Sequence, residues 1–217
     1  MRRGDGDGPA VRGVLHRAAT GRDGVVLTHG AGSDCHRPLL VALASAFAAR
    51  GVSALRCDLP YRQLRRMGPP SPAGAARDRE GLSVAVAAIR KLAPGRVFLG
   101  GHSYGGRQAS MLAADAPAVA DALLLSSYPL HPPNRPGAPR IAHLAALRVP
   151  AFFVHGTRDG FGTPEEIRAA QALVPAPTEL LIVEGGAHDL VGAADAAPAL
   201  AERIAGAFLD WIDGRRA

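Results

Sequence analysis

A serine nucleophile is the first chemistry that the sequence offers. Residues 101–105 read Gly-His-Ser-Tyr-Gly, with a further glycine at 106, and lie between a short apolar run and a helical stretch. In this G-x-S-x-G pattern the serine occupies a strained strand-to-helix turn, and the flanking backbone must pack without Cβ atoms. The following helix points its N-terminus at negative charge that develops near the serine. Ser103 is therefore the candidate nucleophile, although such turns also occur in α/β proteins without catalytic activity.

A second glycine turn offers the hydrogen-bond donors that a serine nucleophile requires. Residues 28–34 read Thr-His-Gly-Ala-Gly-Ser-Asp and follow an apolar run. We predict an oxyanion hole formed by the backbone N–H of Ala31, with Gly32 as the alternative, and the N–H of Tyr104. Losing one such donor costs about 10²–10³ in rate in known enzymes. A phosphate-binding role is disfavoured because the G-x-G-x-x-G and Walker patterns are both incomplete.

A general base and its orienting acid follow later strands of the predicted sheet. His188 comes after the last apolar run, and Asp159 comes after the penultimate one. A histidine on such a loop can accept the serine proton, and the order serine, acid, histidine is the one expected for this type of fold. The rival acids are Asp189, Asp121 and Asp58.

The elements that must position these residues alternate regularly along the chain. Apolar runs at 25–29, 52–56, 97–99, 122–125, 151–155 and 180–183 predict strands, and the stretches 39–50, 74–92, 103–116, 164–173 and 198–213 predict helices. This alternation favours a compact, doubly wound, mainly parallel sheet with helices on both faces. Residues 11–17 are a candidate edge strand. We expect a flexible N-terminus at residues 1–10 and a single domain at residues 11–217.

The composition excludes several other classes of protein. The 217 residues are 47% hydrophobic and 5% aromatic and carry a formal net charge of +6. The arginines are scattered and not interleaved with aromatic residues, which disfavours a nucleic-acid partner, and the cluster at 62–66 is expected to be a solvated loop.

Two cysteines, Cys35 and Cys57, are too few for a disulfide framework. Without a signal sequence or a long apolar segment, we expect a cytoplasmic protein with no membrane association. The oligomeric state is left open.

The motifs together resemble those of the α/β-hydrolases. More narrowly, residues 27–32, 100–107 and 149–164 resemble the hydrolase-like family that includes a regulatory subunit of the NSL chromatin complex, a testis-expressed protein and many small bacterial proteins. His102 departs from that family, where arginine or lysine is expected. The resemblance implies an α/β-hydrolase fold. Because its eukaryotic members are known mainly as components of complexes, it also implies an alternative function, an interaction module with little or no turnover.

These observations predict a serine hydrolase that cleaves a small carboxyl ester or thioester through an acyl-enzyme, with amide cleavage left open. Ser103, Asp159 and His188 are the predicted triad, and neither a metal nor an organic cofactor is required. The insertion after the run 122–125 extends only to about residue 147, too short for a cap domain. We therefore expect an open substrate pocket, lined by Tyr61, Pro129, Leu130 and Phe161.

Overall fold

A computed structural model describes residues 8–132, 135–191 and 196–215. Seven strands form one sheet in the order β1-β3-β2-β4-β5-β6-β7, and only β1 runs antiparallel to its neighbour. The strands are β1 (Arg12–His16), β2 (Asp23–Thr28), β3 (Val52–Asp58), β4 (Val97–His102), β5 (Ala122–Ser126), β6 (Ala151–Gly156) and β7 (Thr178–Val183).

Helices cover both faces of the sheet. They are α1 (Pro38–Ala49), α2 (Pro60–Leu64), α3 (Ala75–Arg90), α4 (Tyr104–Asp115), α5 (Pro164–Gln171) and α6 (Ala197–Asp213), with short 3₁₀ turns at Pro72–Gly74, Pro117–Val119 and Leu144–Ala146. On one face Phe208 of α6 packs against both Phe47 of α1 and Phe98 of β4. The opposite face is covered by α3, α4 and α5, whose buried residues include Leu82 and Ile167.

The strand order creates a crevice at the carboxyl ends of β2 and β4. From β2 the chain moves outward to β3 and then returns to place β4 on the other side of β2. The loops that follow β2 and β4 therefore diverge, and open α/β sheets bind their ligands at such a switch point. Both glycine turns singled out in the sequence lie there.

The predicted fold is confirmed, including the edge strand β1 and the absence of a cap domain in the described residues. Between β5 and β6 the described residues contain only the turn Leu144–Ala146 as regular structure, and residues 133 and 134 of the predicted loop lie outside the described residues. No helix among the described segments combines the length and the apolar character needed to cross a lipid bilayer.

Residues 1–7 of the predicted flexible terminus lie outside the described part of the chain. Within the remainder, Pro9 is buried, and the carbonyl oxygen of Ala10 accepts a hydrogen bond of 2.9 Å from Gln63 Nε2. The packed structure thus begins slightly before residue 11.

Candidate functional site

Ser103 occupies a strained backbone conformation between β4 and α4. Its φ is 52° and its ψ is −117°, a region that non-glycine residues rarely adopt. Neighbouring glycines allow this turn to pack closely. A Cβ on Gly101 would lie 2.6 Å from the backbone of Gly105 and Gly106, and a Cβ on Gly105 would lie 2.6 Å from the carbonyl oxygen of His29. The glycines at these positions are therefore sterically required.

The structure brings Ser103, His188 and Asp159 into one hydrogen-bonded chain. His188 Nδ1 lies 2.9 Å from each carboxylate oxygen of Asp159, and His188 Nε2 lies 2.8 Å from Ser103 Oγ. An ionised carboxylate only accepts hydrogen bonds, so Nδ1 carries the proton and Nε2 is free to accept one from the serine hydroxyl. The arrangement is that of a nucleophile, a base and an orienting acid.

Asp159 is held as a buried anion. Its side chain is fully buried, and Oδ1 accepts a further hydrogen bond of 2.9 Å from the N–H of Phe161. Burial by itself raises the pKa of Asp159, but the hydrogen bond and charge of His188 and the Phe161 N–H outweigh it and lower the pKa overall. The carboxylate is therefore ionised at neutral pH.

Two further rings fix the loop that carries His188. The Phe161 ring stacks on the imidazole, with centroids 4.0 Å apart and planes inclined by 29°. From the other side, His102 Nε2 donates a hydrogen bond of 2.7 Å to the backbone carbonyl of His188. The pKa of His102 is lowered to about 4, mainly by burial and secondly by the charge of the nearby His188. His102 is therefore neutral at physiological pH, with its proton on Nε2.

The rival carboxylates are engaged elsewhere. Asp58 Oδ1 accepts from the N–H of Cys35 at 2.8 Å, and Asp121 Oδ2 accepts from the N–H of Val97 at 2.7 Å. Asp189 faces Arg37, with 3.9 Å between its carboxylate and the guanidinium.

The glycine turn after β2 is held by groups from α2 and from its own histidine. His29 Nδ1 donates to the carbonyl of Gly30 at 2.9 Å, and Nε2 accepts from the N–H of Leu59 at 3.1 Å. Tyr61 Oη donates to the carbonyls of Gly30 and Ala31 at 3.1 and 2.9 Å. Arg62 donates to Ala31 and to three further backbone carbonyls, those of Ser33, Arg65 and Gly68.

Arg62 therefore corrects one expectation from the sequence. The cluster at 62–66 was expected to form a solvated loop, but Arg62 is only 7% exposed and lies in α2, where it supports the glycine turn. Local sequence gives no sign of this, because its carbonyl partners at Ala31 and Ser33 come from a turn about thirty residues earlier.

A cavity of about 740 Å³ opens directly over Ser103. Of the predicted pocket residues, Pro129 and Phe161 line it, as do Ala31, Gly32 and Tyr104. Tyr61 and Leu130 do not. The Tyr61 hydroxyl is turned inward toward the backbone of the glycine turn, and Leu130 is 5% exposed because its side chain packs in the core beside Gly162.

Several cavity residues were not singled out from the sequence. They are polar or charged and include Arg37, Arg107, Gln108 and Arg140. For Arg107 a signal was present, since it follows Ser103 by four residues and therefore shares its helix face. Arg140 had none, since it reaches the cavity only through the path of the segment after β5.

The sequence of this chain matches that of a known protein family. Residues 21–209 match the family model for the alpha/beta hydrolase domain. The chain belongs to the alpha/beta hydrolase family. The prediction of a hydrolase is confirmed at this level. In this alpha/beta hydrolase, no group of three or more His, Cys, Asp or Glu side chains in the described ranges is arranged to hold a metal ion.

Solved structures with low sequence identity share the fold of this alpha/beta hydrolase. Est1E from Butyrivibrio proteoclasticus has a TM-score of 0.76 at 18% identity, covering 98% of each chain. A dienelactone hydrolase from Anabaena variabilis has a TM-score of 0.74 at 20% identity, covering 96% of this chain and 95% of its own. A serine hydrolase without a lid from Xanthomonas campestris has a TM-score of 0.68 at 13% identity, covering 96% and 93%.

Proposed function

We propose that this alpha/beta hydrolase cleaves a small carboxyl ester or thioester through an acyl-enzyme formed on Ser103. The observation that carries the proposal is the continuous chain from Ser103 Oγ through both nitrogens of His188 to the carboxylate of Asp159, with contacts of 2.8 and 2.9 Å. Such a chain activates a hydroxyl that is otherwise a weak nucleophile at neutral pH.

In the acylation step, Ser103 Oγ forms a bond to the carbonyl carbon of the substrate while its proton passes to His188 Nε2. Asp159 stabilises the resulting imidazolium and keeps the proton on Nδ1 in place. The tetrahedral intermediate then expels the alcohol or thiol, which takes the proton from Nε2. The acyl group is left on Ser103.

In the deacylation step, a water molecule gives a proton to His188 Nε2 and its oxygen bonds to the acyl carbon. The bond to Ser103 Oγ breaks, the serine recovers the proton, and the carboxylic acid leaves. In both steps the oxyanion accepts hydrogen bonds from the backbone N–H groups of Tyr104 and Ala31, with Gly32 as the alternative second donor. The N–H of Tyr104, the first residue of α4, has no intrahelical acceptor and is available for this role.

The open cavity and the short segment between β5 and β6 favour a substrate of modest size over a long lipid. The narrower resemblance to the NSL-subunit family remains a prediction from the motif residues, among them the stretch 157–164. It assigns no substrate.

The proposal is tested by stopped-flow hydrolysis of para-nitrophenyl butyrate, followed by mass spectrometry of the quenched enzyme. We expect a burst of nitrophenol and a butyryl adduct on the peptide that contains Ser103. Hydrolysis at an unchanged rate by the Ser103→Ala variant would overturn the proposal.

A further inference from the structure

The cavity over Ser103 carries more positive charge than its own carboxylates balance. Three arginines, Arg37, Arg107 and Arg140, line it together with one acidic residue, Asp189. Arg37 is the arginine that faces Asp189, at 3.9 Å. Within the described parts of the chain, no carboxylate lies within 4.0 Å of the guanidinium of Arg107 or Arg140.

Arg107 lies one helical turn beyond the candidate nucleophile. Its backbone N–H donates to the carbonyl of Ser103 at 3.0 Å, so the two side chains emerge from the same face of α4. Nε of Arg107 is buried and has no hydrogen-bond partner among the described residues. A buried donor on a charged group without a partner is costly, and a bound acceptor would relieve that cost.

Gln108 adds a neutral donor beside Arg107. It is fully buried yet contributes to the cavity wall. Its Oε1 accepts a hydrogen bond of 3.0 Å from Arg79 Nη1, which fixes the orientation of the amide. Nε2 is thereby left as a buried donor with no partner in the described structure.

Arg140 comes to the same place from the segment that follows β5. Its backbone N–H donates to the carbonyl of Leu130, and its carbonyl accepts from the Tyr128 hydroxyl at 2.7 Å. Burial, followed by the charge of Arg107, lowers the pKa of Arg140. Both arginines line the same cavity, and an anion bound between their guanidinium groups would be stabilised by both charges.

We propose that Arg107, Arg140 and Gln108 form a subsite for an oxyanion, a carboxylate or phosphate, carried by the substrate about one helical turn from the ester bond. This rests on the proposed function of Ser103 and adds a substrate class to it, an ester or thioester with a negatively charged group. Asp78, a buried acid on the adjoining helix α3, accepts from the Tyr104 hydroxyl and the N–H of Tyr61, and among the described residues it forms no salt bridge with Arg107 or Arg140.

The test compares matched esters. One pair is para-nitrophenyl hexanoate and its counterpart with a terminal carboxylate, the para-nitrophenyl monoester of adipic acid. The other pair carries the charge on the leaving group, para-carboxyphenyl hexanoate against its methyl ester. We expect kcat/KM to be at least tenfold higher for the anionic member of at least one pair. Equal values within both pairs would overturn the proposal.

Substitutions of the cavity arginines test which residues cause the preference for the anionic ester. In the Arg107→Gln and Arg140→Gln variants, the ratio of kcat/KM for the anionic ester to that for its neutral partner should fall about tenfold or more. Arg168→Gln, an exposed arginine on α5 outside the cavity, is the matched control and should keep the wild-type ratio. A ratio that survives both cavity substitutions would overturn the assignment of the subsite to these residues.

Binding measurements keep this test independent of turnover. Calorimetric titration of folded Ser103→Ala with each intact ester should give tighter binding of an anionic member, weakened about tenfold by adding Arg107→Gln. Binding with that preference but no wild-type hydrolysis would contradict the proposed function and support the subsite. Wild-type hydrolysis with equal kcat/KM for the anionic and neutral esters would support the proposed function and contradict the subsite. Competition by benzoate against phenyl phosphate, at equal ionic strength, distinguishes a carboxylate site from a phosphate site.

Discussion

His102 Nε2 donates a 2.7 Å hydrogen bond to the backbone carbonyl of His188, so the residue directly before the candidate nucleophile holds the loop of the candidate base. The two imidazole rings lie 5.3 Å apart. Because His102 is anchored in β4, this contact couples the position of His188 to the central sheet. The loop after β7 is thereby held in a fixed position relative to the turn at Ser103.

Loss of that contact should lower catalysis through the position of His188. We expect His102→Ala to reduce kcat for a neutral ester by about tenfold to hundredfold, since small displacements of catalytic groups carry costs of this order. His102→Gln retains an N–H donor at a similar distance from the backbone and should recover most of the loss. Steady-state kinetics of both variants check this, and equal defects in the two would contradict a positioning role for the hydrogen bond.

Acid stability should depend on His143, which lies on the segment between β5 and β6. Burial, followed by the charge of Arg107, lowers the pKa of His143 to about 4. Between pH 6.5 and about 4 the unfolded chain therefore binds a proton that the folded chain does not, so the free energy of unfolding falls as the pH falls through this window. The loss from this residue is about 2 kcal/mol after allowing for partial exposure.

Urea denaturation of His143→Gln between pH 7 and pH 4 measures this contribution. Glutamine is able to keep a hydrogen bond to Ser110 Oγ, which His143 Nε2 contacts at 2.8 Å. We expect the variant to lose less stability than the wild type over the window. Parallel pH profiles for the two proteins would show that His143 does not titrate as described.

Replacing Asp159 should impair His188 as a general base and leave the fold of the turn at Ser103 unchanged. In Asp159→Asn, the amide no longer requires the proton on His188 Nδ1, and Nε2 loses its preference for accepting from Ser103. We expect kcat to fall by about 10⁴. Asp189→Asn is the comparison, because Asp189 is the rival acid that lines the cavity, and its kcat should change by less than tenfold. A larger defect in Asp189→Asn would reverse the assignment.

The Tyr61 hydroxyl should act on the glycine turn and not on substrate binding. Tyr61→Phe removes one donor from each of the Gly30 and Ala31 carbonyls, which keep those of His29 and Arg62. We expect a loss of about 0.5–1.5 kcal/mol in the free energy of unfolding. We also expect kcat to fall severalfold with KM nearly unchanged. A rise in KM alone would instead indicate that Tyr61 contacts the substrate, as the sequence suggested.

The fold and the three residues Ser103, Asp159 and His188 could be predicted from the sequence because each has a local signature. Continuous apolar runs mark the buried parallel strands, and the serine, acid and histidine each follow such a run. Since parallel strands end at one edge of the sheet, their order along the chain predicts their proximity. The steric demand of the turn at Ser103 likewise leaves a visible pattern of glycines.

The supporting contacts were not accessible because they join distant segments without a periodic pattern. The α2 helix has only five residues, too short for a helical repeat, and its Tyr61 and Arg62 contact a turn about thirty residues earlier. Likewise, Arg140 lines the same cavity as Arg107 only because of the path of an irregular segment. Arginine-rich composition conceals such residues, since buried and solvated arginines look alike in a sequence.

The most direct measurement of the central claim is labelling with a fluorophosphonate probe, which phosphonylates an activated serine. The folded wild-type protein should be labelled, the modified peptide should contain Ser103, and the folded Ser103→Ala variant should remain unlabelled. Persistent labelling of Ser103→Ala, or no labelling of folded wild-type protein, would contradict the assignment of Ser103 as the nucleophile.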